Sequence, residues 1–109
     1  MDCEEFETYL NANSRVVAIF RSQALTYQHS RNRQRSASKR WSETAVTSAV
    51  DKMVSQFIDN VYDKLKTNIK ENKFQPYDSW VNFIEGNEVL DNLEETVSEI
   101  EFDLSLIHI

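Results

Sequence analysis

The chain of 109 residues is predicted to be all-α: a small helical head (a helical hairpin or bundle) leading into the start of a coiled coil. Three observations predict this. One Gly and one Pro are too few for the frequent tight turns of a β-fold. Apolar residues recur at three- and four-residue spacings over most of the chain, which lines them along one side of a helix. Leu90, Leu93, Val97, Ile100 and Leu104 alternate those two spacings in the rhythm of a coiled-coil seam.

Residues 42–84 are expected to form the helical head, organised by a helix over Ser42–Asn72 that contains neither Gly nor Pro. Val46, Val50, Met53, Phe57, Val61 and Leu65 share one face of it, and Val54, Ile58, Tyr62 and Ile69 widen that face into a broad arc. An arc this wide needs at least two neighbouring helices to cover it. Val50, Met53, Phe57, Val61 and Leu65, with Trp80, are the candidate head core. Ser42 suits the N-cap, since its hydroxyl can accept from a first-turn amide, and Glu43 meets the positive end of the helix dipole.

Residues 1–30 form an N-terminal helical segment opened by an Asp2–Glu5 capping box. Phe6, Leu10, Val17, Phe20, Ala24 and Tyr27 mark its seam, interrupted by Asn13. The alternative is a break at Asn11–Ser14, because Asn and Ser side chains compete with the helix for backbone partners. Residues 31–41 are a basic Ser/Arg stretch with five bases and no acid over 31–40. Having no apolar period, it is expected to be a mobile, solvent-facing linker whose nucleic-acid binding is weak and salt-sensitive. Ser36 and Ser38 each follow an arginine by three residues (Arg33 and Arg35) and are candidate phosphorylation sites.

Pro76 sets a boundary near residue 75, Trp80, Val81, Phe83 and Ile84 form a short apolar cluster, and Gly86–Asn87 punctuate the chain before the last helix. The coiled-coil start spans 87–103. Leu90, Leu93, Val97 and Ile100 are its candidate partner-binding residues. Between Glu85 and Asp103 there are eight acids and no base. Two such helices would repel each other, so a sister chain bearing lysines or arginines is the expected partner. Residues 104–109 switch abruptly to Leu-Ser-Leu-Ile-His-Ile, the translation of a common sequencing adapter, and are expected to be a non-native tail.

Nothing in the inventory of side chains points to catalysis. His29 adjoins the basic stretch, His108 lies in the suspect tail, and Cys3 is surrounded by acids that oppose thiolate formation. No phosphate-binding loop, nucleophile elbow or zinc spacing occurs. A non-enzyme without cofactor, metal or small-molecule substrate is therefore expected. The single cysteine fits a reducing compartment, and no apolar run approaches the roughly 20 residues that span a bilayer.

Two stretches resemble one family. Asp51-Lys-Met-Val-Ser-Gln-Phe-Ile58 resembles the D-x-M-V-x-x-F-[LI] core of the first head helix of the polyamine-modulated factor (Nnf-one) subunit of the kinetochore's four-protein Mis complex. Val89-Leu-Asp-Asn-Leu-Glu-Glu-Thr-Val-Ser-Glu99 resembles the V-L-N-x-L-[DE]-x-x-[IV]-x-E stretch with which that family enters its coiled coil. Ser38-Lys-Arg40, Ala45-Val-Thr47 and Phe57-Ile58 resemble the head of its sister subunit, Nsl-one or Mis-fourteen. Both resemblances imply a non-catalytic rod subunit that joins sister coiled-coil chains and links centromeric chromatin to microtubule-binding proteins, at the kinetochore in the nucleus. The residue patterns alone point to an all-α assembly subunit, with a generic helical adaptor or helical-bundle regulator as the alternative and a nucleic-acid-binding module behind it.

Overall fold

The computed structural model describes residues 1–100. They form five α-helices and one 3-10 turn, with no strand among them: α1 Cys3–Asn13, α2 Val16–Gln34, the turn Ala37–Lys39, α3 Glu43–Asn68, α4 Pro76–Gly86 and α5 Val89–Ser98. The fold is all-α, as predicted.

Local chemistry sets most helix ends. Asp2 accepts from the Glu5 amide at 2.8 Å, and the Glu5 carboxylate accepts from the Asp2 amide at 3.0 Å, so the capping box forms. At the head of α3 the Ser42 hydroxyl accepts from the Ala45 amide at 3.2 Å. Pro76 occupies the first turn of α4, where its missing N–H costs nothing. The chain leaves α4 through Glu88, which takes the left-handed conformation (φ 52°, ψ 39°) that an L-residue adopts at some cost.

The N-terminal seam divides at Ser14. The Ser14 hydroxyl donates to the Leu10 carbonyl at 2.6 Å and Asn13 Nδ2 to the Tyr9 carbonyl at 2.9 Å, so both side chains take carbonyls that a continuing helix would use. The break rotates the register. On α2 the buried row is Val16, Phe20, Ala24 and Gln28, at steps of four, while the expected Val17 and Tyr27 are only half-buried.

Helices α2 and α3 share the largest interface and run antiparallel, as two contacts mark: the Arg21–Asp51 ion pair at 2.6 Å and the His29–Glu43 hydrogen bond at 2.9 Å. Val46, Val50, Val54 and Ile58 are the fully buried row of α3. Of the candidate head core, Val50 and Trp80 are buried, and Met53, Phe57, Val61 and Leu65 are half-buried against the same cluster. Around the far end of α3, Trp80 stacks on Tyr62 (centroids 4.9 Å, 13°) and meets Phe6 obliquely (6.0 Å, 53°). Helices α1, α4 and α5 close over that end and leave the α2–α3 connection projecting at the other. The described residues span 57 × 25 × 22 Å.

Candidate interaction surface

The groups that most often do chemistry are tied into structure. The half-buried Cys3 thiol donates to Asp59 Oδ1 at 3.3 Å. Burial, then the hydrogen bond to Asp59, then the negative charges of Asp59, Glu7 and Asp63 push its pKa up to about 11. A thiol this weakly acidic is a poor nucleophile at neutral pH. His29 Nε2 is hydrogen-bonded to the Glu43 carboxylate at 2.9 Å, across α2 and α3. Among the described residues no three His, Cys, Asp or Glu side chains come together as a metal site would require, and no helix is long and apolar enough to cross a membrane.

The candidate partner-binding seam lies against the chain's own bundle. Val97 is wholly buried, and Leu90, Leu93 and Ile100 are half-buried against the core that includes Phe20, Ala24 and Ile84. Two bonds hold α5 down: Gln23 Nε2, on α2, donates to the Val97 carbonyl at 2.9 Å and to the Ser98 carbonyl at 3.0 Å. With the apolar side of α5 inward, Asp91, Glu95 and Glu99 are left on its exposed side. Leu104, the remaining seam position, and the tail 104–109 with His108 lie outside the described residues.

Residues 31–41, expected to be a mobile, solvent-facing linker, are largely exposed but carry regular structure: the end of α2 and the 3-10 turn. Arg31, Arg33 and Gln34 extend α2, since arginine and glutamine favour helix and cations suit its C-terminal end. Beyond it Trp41 folds back. Its amide donates to Asn32 Oδ1 at 2.8 Å, and its carbonyl accepts from Asn32 Nδ2 at 3.1 Å. The Arg35 guanidinium lies over the Trp41 ring, 3.9 Å from its centroid. Arg31 Nη1 donates to the Tyr27 hydroxyl at 3.0 Å. Arg40 donates to the Arg35 carbonyl at 3.2 Å and the Arg33 carbonyl at 3.3 Å, filling acceptors that the helix end leaves open. Ser36 and Ser38, the candidate phosphorylation sites, are exposed on this tip with their hydroxyls 3.5 Å apart.

Trp41 was not among the candidate residues of the sequence, where its place directly after the basic run was the available signal; in the structure it is 43 % exposed. Phe74 is 93 % exposed on the α3–α4 connection, where Asn72 Oδ1 accepts from its amide at 2.9 Å. A shallow apolar depression lies along α2 and α3, lined by Phe20, Met53, Gln56, Phe57 and Asn60, with Phe20 and Phe57 stacked at 4.3 Å. It is too open to enclose a small molecule.

No family model, curated protein or solved structure matches the chain.

Proposed function

We propose that this chain is a non-catalytic helical adaptor: a bundle that binds other macromolecules through its surface and transforms no substrate. The observation that carries this reading is the folded basic tip of the α2–α3 hairpin. Five cations, Tyr27 and Trp41 are gathered on one end of the molecule, and several are already held by bonds within the chain. Arg, Tyr and Trp are the residues that dominate binding energy at protein interfaces, and side chains fixed before binding lose less entropy on contact. Cross-linking mass spectrometry on the tagged chain in cells tests it. Partner cross-links should map to Lys39 and vanish in an Arg31→Gln, Arg33→Gln variant, which keeps the reactive amine. Cross-links confined to Lys64, Lys66, Lys70 and Lys73, at the other end of α3 and beyond it, would overturn the tip as the docking end.

The kinetochore reading is the second proposal, and it rests on the resemblance of residues 51–58 and 89–99. On that reading the chain is a nuclear, centromeric subunit that pairs with sister coiled-coil chains. The inward turn of Leu90, Leu93 and Val97 counts against the part of it in which those residues face a sister helix. Purification from dividing cells separates the two proposals. Recovery with three other coiled-coil proteins at centromeres supports the kinetochore subunit, and recovery without them removes it.

A further inference from the structure

We propose that the basic tip of the α2–α3 hairpin docks on the acidic outer side of α5 in a second copy of this chain, giving head-to-tail self-association. The tip carries Arg31, Arg33, Arg35, Lys39 and Arg40, and no acid lies between residues 31 and 42. The outer side of α5 carries Asp91, Glu95 and Glu99 at steps of four, all exposed, with Glu88 at its N-cap and no base between Glu85 and Glu99. Each surface therefore lacks the counter-charge that the other supplies.

Within one copy the two do not meet. The ion pairs among the described residues are Met1–Glu71 and Arg21–Asp51, and neither they nor the His29–Glu43 hydrogen bond joins the tip to α5. Helix α5 ends on Gln23, ten residues before Arg33 on α2, which is about 15 Å of helix rise. That separation leaves the tip of one molecule open to the α5 of another.

A second copy of the chain supplies, in its own α5, a fixed array of carboxylates that matches the tip in charge. Four of the five cations are arginines, whose planar fork pairs bidentately with carboxylates. Arg31, Arg35 and Arg40 are held in place by Tyr27, by Trp41 with Asn32, and by the end of α2 respectively. Asp91, Glu95 and Glu99 stand about 6 Å apart along a helix, a spacing equally fixed. Because tip and stripe are different surfaces, the contact is heterologous. It builds open chains or rings, not a closed twofold dimer.

Sedimentation velocity on the full chain tests the proposal. At ~10 mM salt, where charges act over about 30 Å, the mean mass should rise with concentration, and at ~1 M salt, where they act over about 3 Å, it should fall to that of the monomer. Arg33→Gln with Lys39→Gln should abolish association. Asp91→Asn with Glu95→Gln should do the same, and circular dichroism should show unchanged helicity in both, since all four side chains are exposed. Mixing the two variants is the decisive arm. Each retains one intact surface, so they should form a one-to-one dimer and stop there. A chain that stays monomeric at low salt, association that persists at high salt, or variants that fail to complement would each overturn the proposal. So would a tip that binds an RNA oligonucleotide or an anionic vesicle while the chain remains monomeric.

Discussion

Trp80 is the residue on which three elements converge: Phe6 of α1 and Tyr62 of α3 meet its ring, and its indole N–H donates to Glu71 Oε1 in the α3–α4 connection. That bond is the largest influence on the Glu71 carboxyl, holding it below its ordinary range. Trp80 is fully buried, whereas Phe57 is half-buried, stacked on Phe20 at the rim of an open depression. Trp80→Ala should therefore cost about 3–5 kcal/mol. Phe57→Ala should cost about 1–3 kcal/mol, less than a fully enclosed ring would, because part of its area already faces water. Urea unfolding of both variants checks the order. Equal shifts would mean that the centre of the core has been misplaced.

Cys3 allows a test by pH. The fold favours the protonated thiol, raising its pKa from 9.0 to about 11. Its stabilising contribution is therefore present below the ordinary value and lost as pH climbs through about 11. Alkylation near pH 8 should be slow in the folded protein and fast after denaturation. Asp59→Asn should speed the folded reaction by removing the carboxylate that opposes thiolate formation. Alkylation of the native protein at the rate of a free thiol would show that the Asp59 contact does not protect the sulfur.

At the scale of the element, α5 has the least support from its own sequence. Its N-cap residue is left-handed and makes no capping bond, and its last turn has acids and no base near the negative end of the dipole. Gln23 compensates from another helix by donating to two of the C-terminal carbonyls. Gln23→Ala should destabilise by about 1–2 kcal/mol and raise amide exchange in α5 before the rest of the bundle. Exchange that rises uniformly would show that α5 does not open by itself.

The same helix shows what a sequence discloses. Caps such as Asp2–Glu5, Ser42 and Pro76 are written within four residues and were legible, whereas the break at Ser14 was legible only as the alternative to a continuous seam. The spacing of Leu90, Leu93, Val97 and Ile100 says that this face is covered. It cannot say by what, because that depends on Gln23, 74 residues earlier in the chain from Val97. The shape of the basic tip was illegible for a related reason. Its order comes from ring and amide contacts of Arg35 and Asn32 with Trp41, which leave no apolar period to detect.

At the scale of the whole molecule, the bundle is unevenly thick. Its radius of gyration is 16.7 Å, against about 13 Å for a compact domain of 100 residues. The hydrogen bonds that tie residues 1–3 and α5 to the hairpin fall on Gln23, Asp59 and Tyr62. None falls near the tip. Val46, though fully buried, lies outside the main core cluster. Hydrogen exchange should accordingly be graded along α3, faster over residues 43–49 than over 54–65. Equal protection along the helix would mean that the tip is supported as firmly as the body.

The clasp of Arg35 and Asn32 on Trp41 also bears on how the chain meets a protease. Trypsin cuts after Arg or Lys, and residues 31–40 offer five such bonds, yet it needs the strand drawn out across its cleft. The clasp withholds that conformation, so the native protein should be cut slowly here and Trp41→Ala should be cut faster. Scission after Arg40 would part α1 and α2 from α3, α4 and α5, but the α2–α3 and α2–α5 interfaces would still hold the pieces together. The cut protein should run as two fragments on a denaturing gel and as one particle in native chromatography. Fragments that separate would show that the unbroken chain is needed to keep α2 in place. Fragments that stay together would make this loop a point at which the molecule can be expressed as two halves and reassembled.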